Sequence, residues 1–564
     1  MPPVTDTPEV SAAETHFKLA KALQSEGRVA EAAGEWIAGL QIDPRSEPAH
    51  LSLADALLEL KLFQPASIAC RHALMVTPES AAAHDRLGRA MEGLGDRTQA
   101  IAHYTTSLNL GPGDRAISRR LAAALRAEGR LESARRVLEA LCDRNTRDVE
   151  SLFLLAGVLG EMGSTEEAVR RLRRAISHQP RFPEALNNLA ILLRAAGQTQ
   201  EAEVYLRKAV GIRPDYAAAW NNLANLHVEL SRIDEAIQCY TKAVSLDPAY
   251  AEAHTNRALA LLLSGRFEEG WQEFEWRWKQ PGAVARTLAK PEWDGSEVRG
   301  KTILLHAEQG AGDTIQFVRY ARLLHEQGAK VLVHCQESLR SLLEGVPYLT
   351  QVFSGPTSGA EFDVHAPLMS LPRLFRTRPD CIPGDVPYLR PPAGSTAPEE
   401  LASSDAFRVG LVWAGNPSHR NDRNRSIALS LFEDTIRVGG VRLFSLQLGR
   451  TPADEQWMRE KGIIDLAPYL SDYAATAACV QQLDVLVTVD TSVAHLAGAL
   501  GKPVWMLLPT CNDWRWQQKG ENTPWYPSMR LYRQTRLRDW KPVTQRVASD
   551  LRREASGNGW LKGD

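Results

Sequence analysis

The chain has 564 residues, too many for a single hydrophobic core, so several domains are expected. Its 66 Lys and Arg nearly balance 68 Asp and Glu, which excludes the basic field of a general nucleic-acid or anionic-membrane binder. The seven scattered cysteines include no C-x-x-C pair, which excludes a zinc ribbon or a disulfide framework and reads as reduced thiols. No run approaches the roughly 18 apolar residues of a membrane span. The opening M-P-P-V-T-D-T-P-E-V has no basic-then-apolar leader, so the expected location is cytoplasmic.

The first half repeats every 34 residues. Prolines fall at Pro44, Pro78, Pro112, Pro180, Pro214 and Pro248, with Thr146 at the vacant beat. Small residues hold a second column: Ala20, Ala54, Gly88, Ala122, Ala156, Ala190, Ala224 and Ala258. A third runs from Ala32 through Ala66, Ala100, Ala134, Ala168, Ala202 and Ala236 to Gly270. The small columns let paired helices approach closely. Glycines such as Gly27 and Gly95 turn the chain between them, and the proline stops the second helix. Period and columns together are the tetratricopeptide pattern, about eight helical hairpins over residues 13–282. Such stacks present a concave surface for another protein or a peptide. The last copy drifts into F-E-E-G-W-Q-E-F-E-W-R-W-K-Q, whose aromatic density predicts docking on the next domain.

The sixth position of the last three repeats is Asn188, Asn222 and Asn256. That position faces the groove, and a carboxamide both donates and accepts, so a spaced row can pair with the backbone of an extended acceptor polypeptide. The column resembles the asparagine ladder of O-GlcNAc transferase over three repeats. The alternative is that asparagine is simply common there.

After a connector, 283–300, K-T-I-L-L-H reads as a strand, A-E-Q-G-A-G-D-T as a turn, and I-Q-F-V-R-Y-A-R-L-L-H-E as a helix leading to a second strand, V-L-V-H-C. This opens one α/β lobe, 301–392. Asp313 lies just after the first strand, where it serves either as an ordinary helix-start residue or as a base facing a cleft. Gln309 and Gln316 are candidates for hydroxyl contacts. A Pro- and Ser-rich linker, 393–405, precedes a second lobe, 406–564, with strands read at R-V-G-L-V-W, R-L-F-S-L-Q-L, I-I-D-L, D-V-L-V-T-V and P-V-W-M-L-L. A terminal helix around Val543 to Arg553 is expected to cross back to the first lobe.

Two stretches of the second lobe carry candidate binding groups. W-A-G-N-P-S-H-R-N-D-R-N-R-S-I comes after its first strand and offers Asn416, His419, Arg420, Arg423 and Arg425 to a diphosphate or a sugar carboxylate, or else is a solvated loop. V-L-V-T-V-D-T-S-V-A-H-L-A-G-A-L-G-K-P-V puts Asp490, Thr491 and Ser492 where a strand end meets a helix start, with His495 one turn on. Free N–H groups and the helix dipole suit a phosphate there. The same residues could instead be a plain N-cap and a satisfied half-buried histidine. Downstream, Trp514, Arg515 and Trp516 are read either as lining a nucleotide base or as core packing.

The stretch D-T-S-V-A-H-L-A-G-A-L-G-K-P-V resembles the nucleotide-sugar motif of bacterial heptosyltransferases, and G-A-G-D-T-I resembles their glycine–aspartate motif. The resemblance covers most of 300–545 and implies an inverting GT-B glycosyltransferase with Asp313 as general base and Asp490, Thr491, Ser492 and His495 at the donor. No D-x-D motif stands near a strand end and no His/Asp cluster has ligand spacing, so a metal-independent mechanism with no cofactor is expected. Arg425 stands roughly where that family has a lysine. The expected fold is thus an α-helical tetratricopeptide solenoid followed by an α/β GT-B domain of two Rossmann-like lobes. The whole chain resembles bacterial tetratricopeptide–glycosyltransferase fusions that modify proteins, flagellin among them. That implies a nucleotide-sugar substrate and a protein acceptor glycosylated on Ser or Thr. The alternatives are an inactive adaptor and a transferase acting on a lipid-linked or polysaccharide acceptor.

Overall fold

The computed structural model describes residues 8–283, 288–355, 360–402, 406–419 and 421–557. The chain divides into two compact units, Met1–Ala219 and Trp220–Asp564.

The first unit is a stack of antiparallel helical hairpins, from Pro8–Ser25 and Val29–Ile42 to Pro183–Ala195 and Thr199–Ile212. The small columns are buried: Ala20, Ala54 and Ala190 have no exposed surface, and a methyl group on Gly88 would sit 2.6 Å from the Tyr104 ring. Each second helix ends two residues before its proline, as at Ile42 and Pro44 or Val76 and Pro78. The hairpin turn requires a left-handed residue. Glycine supplies it at Gly27, Gly95, Gly129, Gly163 and Gly197, whereas Lys61 adopts φ 57° at the corresponding place in the second hairpin.

The second unit begins with the remaining repeat helices, ending in Ala251–Leu263 and Phe267–Phe274 and a 3₁₀ turn, Glu275–Lys279. The division therefore falls inside the repeats and not at the expected boundary near 282. The reason is packing, because the last hairpin is built into the α/β part. Trp271 lies 5.1 Å from Trp514 and 6.4 Å from Phe317, ring to ring, and Phe267 stacks 6.3 Å from Trp525. Arg277 crosses to Glu308.

Two parallel sheets come next in the chain. The first, β1 (Thr302–His306), β2 (Lys330–His334), β3 (Gln351–Phe353) and β4 (Val364–Pro367), has the order β3-β2-β1-β4. The second comprises β5 (Phe407–Val412), β6 (Val441–Ser445), β7 (Ile464–Asp465), β8 (Val485–Val489), β9 (Val504–Leu508) and β10 (Met529–Arg533). Its order is β10-β9-β8-β5-β6-β7. β8 and β9 are buried along their whole length, which is why they read as unbroken apolar runs. In each sheet the chain reverses its direction of strand addition once, beside β1 and beside β5, and crevices open at the carboxyl ends of such strands.

Three expectations are corrected. The single helix expected after β1 is two, Ala311–Phe317 and Tyr320–Glu326. β10, Met529–Arg533, is a sixth strand in the second lobe, where five are read from the sequence. The terminal helix, Lys541–Ala555, does not cross back. Its Val543, Val547 and Leu551 join Trp505, Leu507 and Phe432 in the core of the second lobe. Among the described residues no helix is long and apolar enough to cross a membrane.

Candidate functional site

The loops after β1, β5 and β8 converge. β5 pairs with β8, so the chain leaving β5 toward Arg425 and the chain leaving β8 at Asp490 are neighbours at the reversal point of their sheet. From the first sheet, the start of helix Ala311–Phe317 packs on the start of helix Ser492–Ala499. A methyl group on Gly312 would lie 3.0 Å from His495 Cδ2 and 3.4 Å from Ser492 Cα.

Asp313 is the third residue of its helix, and its Oδ2 accepts the Gly310 N–H at 2.9 Å, the return half of a capping box. The structural role anticipated for it is therefore real, but it is not the whole arrangement. Its Oδ1 accepts from Arg515 Nη2 at 2.5 Å, across the cleft. Burial holds the Asp313 carboxyl above the ordinary carboxylate range, and the Arg515 guanidinium offsets this only in part.

Asp490 directly follows β8 and is half-buried. Burial, reinforced by Asp513, pushes its carboxyl up to about 6. Thr491 has the extended backbone of an N-cap, yet its side chain makes no cap bond, and its Oγ1 lies 3.3 Å from Thr488 Oγ1. Ser492 Oγ accepts from the Tyr473 hydroxyl at 2.7 Å. The first turn of the helix thus lacks the side-chain acceptor that ordinarily satisfies its N–H groups.

His495 is another matter. It is 5% exposed, its Nδ1 lies 2.9 Å from the Tyr526 hydroxyl, and its ring packs 5.3 Å from Trp516. Burial holds its imidazole well below the ordinary range. Burial therefore disfavours the charged form that would attract a phosphate, and the ring also packs against its neighbours.

Arg425 reaches the site directly: its Nη1 donates to the Asp490 carbonyl at 3.0 Å and its Nε to Asp422 Oδ1 at 3.2 Å. Gly415 makes room for it, since a Cβ there would lie 2.4 Å from the guanidinium. Arg423 and His419 are exposed on the same segment. Burial and then Arg425 lower the His419 imidazole, while the charges of Asp513 and Asp313 oppose this, which puts His419 beside the same cleft. Asn416 instead accepts from the Ser418 N–H at 3.0 Å and hydroxyl at 2.9 Å, building its own turn. Arg420 lies outside the described residues.

The repeat asparagines are half-buried. Asn188 accepts from Asn187 Nδ2 at 3.3 Å. Asn256 Nδ2 donates to Asn221 Oδ1 at 3.2 Å and to Asn225 Oδ1 at 3.3 Å, so its donors are already used within the repeats. A row of asparagines with uncommitted N–H groups is not what the fold provides at Asn256.

Sequence reasoning missed Asp513, Arg277 and Glu308. Glu308 precedes the Gly310 turn, and Arg277 grips it through Nε at 2.7 Å and Nη2 at 3.0 Å, both side chains nearly fully buried. The only available signal was the position of an arginine inside the aromatic tail of the last repeat. Beside this pair lies a cavity of about 580 Å³, lined among others by Thr255, Leu259, Trp278, Glu308, Gln309 and Arg515. No group of three or more His, Cys, Asp or Glu suited to a metal ion occurs among the described residues.

Comparison with known proteins finds tetratricopeptide-repeat families over residues 86–149, 172–204, 193–240 and 224–265. Protein FlbA of Caulobacter vibrioides is 26% identical over 337 residues, 52% of this chain and 54% of that protein, so the chain spans about half the length of this relative. Among solved structures, MamA is 22% identical, covering 28% of this chain and 91% of its own at a TM-score of 0.26. YrrB, a tetratricopeptide protein described with an unusual peptide-binding site, is 18% identical over 33% of this chain and 95% of its own, TM-score 0.29. A tetratricopeptide protein from Parabacteroides merdae reaches 16% identity, 44% and 99% coverage and a TM-score of 0.38. The amino-terminal helices are therefore tetratricopeptide repeats, a protein-interaction scaffold, and they precede a region of parallel sheets.

Proposed function

We propose that the chain is a glycosyltransferase of GT-B architecture that moves a sugar from a nucleotide-sugar donor to a Ser or Thr hydroxyl of a protein presented by its repeats. One observation carries this reading: two stretches far apart in the sequence meet at the reversal points of two parallel sheets, with Gly312 against His495 and Ser492.

In this reading the donor phosphate lies at the start of helix Ser492–Ala499, where the uncapped first turn and Arg425 supply positive charge. Asp490 accepts from a hydroxyl of the donor. Asp313 takes the proton of the acceptor hydroxyl. The acceptor oxygen forms the new bond to the anomeric carbon, and the bond from that carbon to the phosphate breaks, its electron pair leaving with the nucleotide. A carboxylate has about four lone-pair sites, so the two bonds to Gly310 and Arg515 leave Asp313 able to accept a third hydrogen. The cavity beside Glu308 and Arg515 gives a polypeptide segment room next to the last repeat helix. Flagellin is one candidate acceptor.

The test is Asp313→Asn in the full chain, expressed in cells deleted for the wild-type chain, with intact-mass measurement of flagellins and other abundant proteins. Loss of a sugar-sized mass increment by at least about a hundredfold is expected for removal of a general base. An unchanged increment overturns the base assignment, and no increment with the wild-type chain overturns the activity.

A further inference from the structure

Arg515 is held from three directions. Nη2 donates to Asp313 Oδ1 at 2.5 Å, Nη1 to Asp513 Oδ1 at 3.0 Å, and Nε to Gln316 Oε1. Its guanidinium lies 4.4 Å from the Trp514 ring centre, and its side chain is 9% exposed. Arg515 and Asp513 belong to a 3₁₀ turn after β9, whereas Asp313 and Gln316 belong to the helix after β1. The ion pair therefore joins two elements that share no strand, helix or turn.

We propose that Arg515 is the positioning residue of Asp313, fixing its carboxylate in one orientation inside the cleft. A short side chain at the third position of a helix would otherwise turn wholly to its cap. The contact at Oδ1 draws one oxygen toward the cleft while Gly310 retains the other. The other charges facing Asp313 would not do this. Asp513 repels it, His419 stands at the exposed rim, and burial disfavours the charged form of His495. With Arg515 removed, burial and Asp513 are opposed chiefly by the backbone N–H of Gly310.

The inference rests on the reading of Asp313 as the base, but its test needs neither donor nor acceptor. Urea unfolding of the full chain is followed from pH 5 to 8.5 for the wild type, Arg515→Gln, Arg515→Lys, Asp313→Asn and the double variant Arg515→Gln/Asp313→Asn. Without Arg515, the folded chain keeps a proton on Asp313 that the unfolded chain has released. Folding then weakens as pH rises, by up to tenfold in the equilibrium constant per pH unit, until the folded carboxyl ionises. Arg515→Gln is expected to show a steeper slope than the wild type, Arg515→Lys to suppress most of the increase, and the double variant to lose it. Identical pH profiles for Arg515→Gln with and without Asp313 would overturn the proposal. Should Arg515→Gln not fold, Arg515→Lys with and without Asp313→Asn gives the same comparison at smaller amplitude. An Asp313→Asn chain that still transferred sugar would remove the base assignment while leaving the measured coupling in place, so the two failures are distinguishable.

Discussion

At the scale of single residues, the second unit contains charges too deep to be left alone. Glu308 is pushed up by burial and is held in check chiefly by Arg277. Replacing one partner of such a pair leaves the other uncompensated, at a cost of about 3–5 kcal/mol. Arg277→Met is therefore expected to lower stability by that amount in urea titrations, and Glu308→Gln in the same chain to recover part of it. Asp490 gives a prediction of opposite sense. Its carboxyl is raised to about 6 in the fold, above the unfolded value of about 4, so the folded state binds the extra proton between those limits. Stability attributable to this group is greatest below about pH 4 and declines as pH rises to about 6, then stays level. Asp490→Asn should flatten that decline and raise stability at pH 7 by up to about 3 kcal/mol while weakening donor binding. A variant less stable than wild type at pH 7 would show that the carboxylate is held by more than its burial suggests. These charges were only partly legible in advance. Arg425 and Asp490 stood out because each comes after an apolar strand. Asp513 and Glu308 looked like ordinary loop acids; the partner of Glu308 lies 31 residues away, and that of Asp513 two residues on in the same turn.

At the scale of elements, the repeats were readable because one rule is applied about eight times. The same regularity exposes two exceptions, Lys61 and Ser231, where a non-glycine residue takes the left-handed turn. Lys61 occupies a left-handed turn position that costs a non-glycine residue about 1–2 kcal/mol. It is exposed, so Lys61→Gly should raise stability by about 1 kcal/mol in a thermal melt. No gain would mean that unfolded-chain entropy cancels the relief. In the α/β part, the strands that form the reversal points were legible as apolar runs. β10 was not, because Arg530 and Arg533 interrupt its pattern. Both arginines are tied down locally, Arg530 to Glu521 and Asp550, Arg533 to backbone carbonyls of its neighbours. The two helix starts meet closely. Gly312→Ala should force them apart by a few tenths of an ångström, lowering stability by about 1–3 kcal/mol and sugar transfer with it. Full transfer by this variant would argue against the two helix starts acting together.

At the scale of the whole molecule, sequence period and physical packing draw the boundary in different places. The 34-residue rhythm runs to about 282, but aromatic contacts of Phe267 and Trp271 and the buried Arg277 pair make the last hairpins part of the α/β unit. A period records which residues recur and is silent about what the terminal copy packs against. Amides of residues 233–263 are accordingly expected to open with those of β1 and β8 in hydrogen exchange, at a free energy distinct from that of the first repeats. Exchange in step with the first unit would contradict this.

The central claim is that the cleft between the two sheets holds a nucleotide sugar, and calorimetry of the full chain tests it most directly. Titrating the full chain with UDP-, GDP-, ADP-, dTDP- and CMP-linked sugars should reveal one donor class that binds with a stoichiometry near one, more weakly to Arg425→Ala. Heat of dilution alone for every compound would contradict the account.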